Sequence, residues 1–592
     1  MNPYVNRIDT IRAAMKARGI DALIIPRTDS HLSEYIADHW QVVRWLSGFT
    51  GSAATMVVTL DAALLWTDSR YFLQAAAQLE GSGITLMKEG LPDTPDIDTW
   101  LLGHLRAGQT VGIDGMTVSI ARAAELAKTL AAKGINLAVD FAPVEEAWAD
   151  RPALPADKVF VHELKYAGEP AEAKMASILA KGAEAGADSV FLSALDEIAW
   201  TLNIRSNDVP CNPVATSFLY LGADGGVLFI DPVKLTPEVE AYLAASKVRT
   251  MPYTAVKDFL RSLKQDSRVL LSATQNAAEL GQILGDRLVS GTSPVAMLKA
   301  VKNPVQLDGV RAAMKRDGVA LVYSMMEIER RLKSPEGLTE MDVAEILTRR
   351  RGEQALYFED SFDTIAGWAG HGAIVHYSAT PESNVKITTG SLLLIDSGAN
   401  YLDGTTDITR TIAVGTPSAD MVHDFTLVMK GHIALATAIF PEGTRGHQLD
   451  AFAREPLWRE GKLYLHGTGH GVGHFLNVHE GPQSFRLNDT MAPLIPGMIT
   501  SNEPGLYLSD RYGIRCENLV LTVEDMETEF GKFYALETLT LFPFDRTLFD
   551  TRIMTPQEIA WVNDYHQRVR DELTPLLDAE GADWLALATR PL

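Results

Sequence analysis

Between residues 376 and 517 the chain gathers side chains that bind cations and move protons. Asp396 closes an apolar run, Leu392 to Ile395, and Asp407 opens another that continues through Thr411 to Val414. The segment between them, SGANYLDGTT, holds two glycines and an Asp-Gly pair, which predicts a hairpin-like connection. Carboxylates at neighbouring strand ends repel unless a cation holds them. Next comes HGTGHGVGHFLNVHEGP, with His466, His470, His474 and His479. His466 and His470 have i,i+4 spacing, but glycines 467, 469, 471 and 473 disfavour a helix. A loop is predicted, with glycine permitting close backbone approach to a ligand or metal. Glu503, in ITSNEPG, and Glu517, in GIRCENLVLTV, fall in strand patterns. Burying such a carboxylate costs several kcal/mol without a partner.

Asp396, Asp407, Glu503 and Glu517 supply four negative charges and His470 one imidazole. That is too much charge for one divalent ion, but it balances two. Water between two such ions is strongly acidified and serves as hydroxide at neutral pH. Oxygen-rich ligation suits manganese, magnesium or iron. Manganese is the first choice, with zinc or cobalt as alternatives. A plainer reading competes: strand-end aspartates are commonly turn residues, and histidines in glycine loops and strand glutamates often face solvent. The residue types alone leave both readings open.

The elements that must position these residues follow from periodicity. Ile8, Ile11, Met15 and Ile20 mark an amphipathic opening helix. The runs 22–26, 54–60 and 62–66 read as strands, 118–133 as a helix and 137–140 as a strand. Residues 1–150 therefore form one α/β domain. A proline- and charge-rich linker spans 151–170. A similar pattern then recurs, and the matching strings LLWTDS (64–69) and VLFIDP (227–232) hint at a duplicated domain over 155–300. The last boundary falls at 291–304. From 305 a long helix runs to about Leu332, followed by glycine-rich β-patterned segments. A strand near 535–543 and an amphipathic helix after Thr555 close the third domain, 301–592. The fold class is α/β (α+β).

A chain of 592 residues is too long for one core. Its formal charge of −23 argues against nucleic acid and anionic membrane surfaces as partners. No run approaches 18 apolar residues, and the N-terminal segment lacks a signal-peptide core. Two distant cysteines, Cys211 and Cys516, suit reduced thiols in a reducing compartment. A cytoplasmic protein is expected.

The strings IVHYSA (374–379), LLLIDSGANYLDGTTDITRT (392–411), HGTGHGVG (466–473), LNVHEGP (476–482), ITSNEPGLY (499–507) and GIRCENLV (513–520), in this order, resemble the pita-bread metallopeptidases of the aminopeptidase P family. The resemblance covers the whole chain. WLSGFTGSAATMVV and LWTDSRYFLQA are similar to a creatinase-type N-terminal domain, and the tail from about 535 to 592 to that of the long three-domain form. The resemblance implies two creatinase-type domains before a pita-bread domain, two divalent ions, a homodimer, and hydrolysis of the first bond in peptides with proline second. It implies that Asp396 chelates one metal, that His470 and Glu503 bind the other, and that Asp407 and Glu517 bridge them. His376 would contact the scissile group, His466 would position substrate near the proline, and His479 would stabilise the oxyanion or the proline carbonyl. Arg515, beside Asp407, and Tyr507 would support the ligands from behind. Cys516 stands where an aliphatic residue is common, and Asn502 where Asp is often seen; neither change removes a ligand. His474 receives no role. The rivals within the fold are prolidase, which cleaves only X-Pro dipeptides, metal-free creatinase and methionine aminopeptidase. Outside enzymes, the rival is an inactive binding protein.

Overall fold

A computed structural model describes residues 3–592. The first sheet comprises β1 (Ala22–Pro26), β2 (Thr55–Thr59), β3 (Ala63–Thr67), β4 (Thr85–Lys88), β5 (Thr110–Ile113) and β6 (Asn136–Ala138) in the order β4-β3-β2-β1-β5-β6. The second comprises β7 (Ser189–Leu192), β8 (Phe218–Gly222), β9 (Gly225–Phe229), β10 (Val248–Met251), β11 (Val269–Ser272) and β12 (Leu288–Gly291) in the order β10-β9-β8-β7-β11-β12. Their pairing is the same. The first strand of each runs antiparallel to the second and parallel to the fifth, the second and third are antiparallel, and the outer pairs are parallel. The recurring apolar strings ending in Asp occupy equivalent strands, β3 and β9, so the hint of duplication corresponds to a repeated topology.

The two sheets do not separate as two bodies. Residues up to Leu164 and Glu169–Val295 form one compact unit. Ile120 N donates to Asn276 O and Ala278 N to Val118 O, while Ala278 packs among Leu126, Leu130 and Val111. Backbone hydrogen bonds and shared apolar packing thus make the two sheets mutually dependent.

The second unit holds Lys165–Gly168 and Ala296–Leu592. Its long helix, α1 (Pro304–Leu332), starts on a capping box between Asn303 and Gln306 with proline in the first turn. Helices α2 (Ala419–Ala436) and α3 (Pro556–Leu573) share its core: Val322, Phe425, Val428 and Val562 pack with Leu393, Ile514 and Leu519 from the strands. One three-stranded sheet joins β13 (Ile365–Trp368), β14 (Ser391–Ser397) and β15 (Ile408–Val414). A six-stranded sheet includes β16 (Gly469–Gly471), β17 (Glu480–Phe485), β18 (Ile499–Asn502) and β21 (Asn518–Thr528), and β19 (Gly505–Leu508) pairs with β20 (Tyr512–Arg515). The unit is thus a mixed α/β architecture, as the sequence predicts.

Arg410 is one of the side chains that tie the C-terminal segment to the strands, beside Asp545, which accepts from Ala413 N. Arg410 donates to the carbonyls of Phe542 (2.6 Å) and Pro543 (3.1 Å), to Asn518 Oδ1 (2.8 Å) and to Tyr565 Oη (3.0 Å), and lies 3.9 Å from the Phe544 ring centroid. Replacing it with Met leaves several buried acceptors unpaired, so R410M is expected to cost about 3–5 kcal/mol of stability in urea unfolding. A cost below about 1 kcal/mol would show that Arg410 is not what holds the tail.

Candidate metal centre

Strand β14 pairs antiparallel with β15 in a register that sets Asp396 opposite Thr409. Asp407 lies immediately before β15, so both carboxylates reach the same end of this sheet. Their connection is more elaborate than a single hairpin, since residues 399–401 pair both with 404–405 and with Tyr357–Asp360 in a small three-stranded sheet. Thr409 also reaches the third acid: its Oγ1 donates to Glu517 Oε2 at 2.7 Å, and its carbonyl accepts from Glu517 N at 3.1 Å.

Glu503 and Glu517 both sit at breaks rather than within strands, which corrects the expectation. Glu503 lies between β18 and β19, and Glu517 between β20 and β21. Pro504 has no N–H to continue the ladder, and at both breaks the chain passes from one sheet to another. A carboxylate at such a break turns inward without displacing a ladder hydrogen bond.

His470 lies in strand β16, not in a loop. The glycines serve the expected close approach, but to neighbouring strands. A Cβ on Gly469 would lie 1.8 Å from Ser501 O, and one on Gly471 2.2 Å from Glu480 O. Ser501 Oγ accepts from His470 N (2.9 Å) and donates to Glu503 Oε1 (3.1 Å), fixing two candidate ligands together. His470 Nε2 lies 3.3 Å from Glu503 Oε1 and 3.4 Å from Asp407 Oδ2. Asp407, His470 and Glu517 each present a ligand atom within 4.8 Å of the others.

Two carboxylate oxygens at this point, Asp396 Oδ1 and Glu517 Oε1, are buried without a hydrogen-bond partner among the described residues. Burial, reinforced by the neighbouring acids, raises Asp407 and Glu517 well above the usual carboxylate range. Glu503 is pushed up to about 7, chiefly by burial, with Arg515 opposing and Asp396 adding to the rise. Orphaned acceptors and anions that resist ionisation are what a cation site looks like before its cations are counted. Oxygen donors with one imidazole fit two hard divalent ions.

Arg515 meets Asp396, not Asp407: its Nη2 donates to Asp396 Oδ2 at 2.6 Å, and its charge acts on Asp407 only through space. Pairing of β19 with β20 sets Gly505 opposite Arg515 and aims Tyr507 inward. Arg515 Nη1 donates to Tyr507 Oη (2.8 Å), which lies 2.8 Å from His466 Nε2. One hydrogen-bonded chain therefore links Asp396 to His466. The His479 ring lies 4.4 Å from that of His470 and 6.4 Å from that of His376, so three imidazoles line one side. His474 is buried, although it falls in an irregular segment.

Asn502 and Cys516 acquire structural accounts. Asn502 Nδ2 donates to His432 O at 2.9 Å, which a carboxylate could not do. Cys516 is fully buried and its thiol is pushed up to about 12 by burial, so it is an inert core group. Sequence reasoning missed Arg410, which braces Asn518 and Thr409 beside the site, and Thr409 itself. Both lie inside the string ITRT, but their partners are remote in sequence.

The Creatinase/Prolidase N-terminal domain matches residues 7–147 and, in a second form, 150–306. Metallopeptidase family M24 matches 308–524, and the C-terminal region of peptidase_M24 matches 532–592. Aminopeptidase P2 of Arabidopsis thaliana is 41% identical, over 97% of this chain and 86% of its own length. A probable Xaa-Pro aminopeptidase P of Laccaria bicolor is 39% identical, over 99% and 93%. The crystal structure of X-prolyl aminopeptidase from Caenorhabditis elegans, a cytosolic enzyme with a di-nuclear active site, superposes with a TM-score of 0.96 at 36% identity over 100% of both chains.

Proposed function

The chain belongs to metallopeptidase family M24, among its Xaa-Pro aminopeptidases, and from that premise we propose that it removes the first residue of peptides whose second residue is proline. The observation carrying this reading is the convergence of Asp396, Asp407, His470, Glu503 and Glu517 around two orphaned carboxylate oxygens.

Asp396 would hold one cation, His470 and Glu503 the other, and Asp407 and Glu517 both. Such ions, manganese in preference to zinc or cobalt, supply an acidified water and a Lewis acid for the scissile carbonyl. The remaining work belongs to the chain. The acids nearest the cations receive the free α-amine, which restricts cleavage to the first bond. Proline has no N–H and a fixed φ, so the leaving side needs a wall shaped to a ring. His376 and His479 form that wall, and His466, held by Tyr507, orients the substrate along it. Arg515 holds Asp396 in place and balances part of its charge. Glu517, or one of the imidazoles, returns a proton to the proline nitrogen as the bond breaks.

The cytoplasm is the proposed compartment; among the described residues no helix is long and apolar enough to cross a membrane. A homodimer is the proposed assembly: Phe452, Trp458, Leu463 and Leu465 stand exposed within one short stretch. Sedimentation of the full chain tests it, and a monomer at micromolar concentration would remove it.

The activity is tested by a panel of one X-Pro dipeptide and several longer peptides with proline second, assayed with manganese. Free first residue released from the longer peptides is expected. Cleavage confined to the dipeptide would make the protein a prolidase. Absence of both cleavage and metal uptake would leave a binding protein on the same fold.

A further inference from the structure

Just before α1, two lysines turn inward onto one acid. Lys299 Nζ donates to Glu480 Oε2 and Lys302 Nζ to Glu480 Oε1, each at 2.6 Å. None of the three side chains is more than 3% exposed. Lys302 Nζ also donates to the carbonyl of Lys299 at 3.1 Å. Glu480 is the residue after His479 and opens β17, where it stands opposite Gly471, the neighbour of His470. The lysine segment also grips the strand leading to Glu503. Lys302 N donates to Gly497 O at 3.0 Å, and Val301 bridges Met498.

Stability alone does not account for such a cluster. Buried ion pairs and triads are often replaced by apolar side chains of similar volume with no loss of stability, because desolvation offsets their attraction. What apolar packing does not supply is direction. Two short charge-assisted hydrogen bonds fix both oxygens of Glu480, and hence the backbone that carries His479.

We propose that Lys299 and Lys302, acting through Glu480, are positioning residues that set the orientation of His479 on the proline side of the site. This rests on the activity proposed above. The test uses the full-length, manganese-loaded protein with all three residues changed to Met (Lys299→Met, Lys302→Met, Glu480→Met). The variant is expected to melt and bind metal like the wild type. Its kcat on Arg-Pro-Pro is expected to fall about 10- to 100-fold with KM little changed, the size seen when groups supporting a metal site are lost. Placed on a His479→Ala background, the same changes are expected to cost nothing further, because two groups that act as a unit are non-additive. A charge-conserving E480D variant, one methylene shorter, is expected to lose kcat in the same way and decides the matter if the Met variant does not fold. A folded, metal-loaded variant of either kind with kcat within twofold of wild type overturns the proposal, as does a loss that adds in full to His479→Ala. Wild-type protein that leaves Arg-Pro-Pro whole removes the activity reading instead, and the clamp's role with it.

Discussion

Replacing Glu503 with Gln is expected to lower kcat/KM on Arg-Pro-Pro by about a thousandfold or more, beyond the 10- to 100-fold typical of groups one layer out. Glu503 does two things that Gln cannot repeat. It supplies an anionic oxygen beside His470 Nε2 at 3.3 Å, and it contributes one of four charges that two divalent ions balance; the bond accepted from Ser501 can be kept by the Gln oxygen. Gln is nearly the same size, so the fold should survive and metal content should fall by about one ion per chain. A second consequence has the opposite sign. Without metal, Glu503 is an acid held in a crowd of acids, and E503Q should then be more stable than the wild type at pH 8. Near-normal activity and metal content in E503Q would remove Glu503 from the site.

Metal removal is expected to make stability strongly dependent on pH in a direction opposite to most carboxylates. Asp407 and Glu517 are raised well above the usual range, mainly by burial, and Glu503 is raised to about 7. The folded, metal-free protein therefore binds more protons than the unfolded chain at intermediate pH. Stability is then highest below the unfolded-state values near 4 to 4.5, and is lost as pH rises through the folded-state values. Between about pH 5 and 8 the metal-free protein should lose roughly a few kcal/mol, while the manganese-loaded protein, with these acids neutralised by the ions, should lose little. Urea unfolding at several pH values, with and without chelation, measures this directly. Equal slopes for the two forms would mean that the acids do not share a cation site.

Much of this was legible in the residues, and the failures have physical causes. The boundary at 291–304 and the long helix running from 305 to about Leu332 were legible and correspond to α1; the capping box of Asn303 with Gln306 that starts it emerged only from the structure. The duplicated domain left only the two strings ending in Asp as its trace, since topology is carried by pairing that side-chain type barely records. Glycines around His470 excluded a helix but did not separate loop from strand. What decides for strand is the backbone of Ser501 and Glu480 pressing on Gly469 and Gly471. The breaks at Glu503 and Glu517 looked like strand interiors because the flanking residues are indeed strands; only the switch of partner sheet reveals them. Arg515 was placed beside Asp407 when its hydrogen bond goes to Asp396, a distinction that register sets and composition does not. Arg410, Lys299, Lys302 and Glu480 carried no signal at all. Charged residues usually lie outside, and their burial here depends on partners 107 to 181 residues away in sequence.

The central claim is that this knot of acids exists to hold two cations that open the first Xaa-Pro bond. Titrating metal-free protein with manganese, while following bound metal and the arginine released from Arg-Pro-Pro in the same samples, tests it most directly. Full activity is expected when two ions are bound per chain, with Pro-Pro as the other product. Protein that takes up no manganese and leaves the peptide intact would contradict the account.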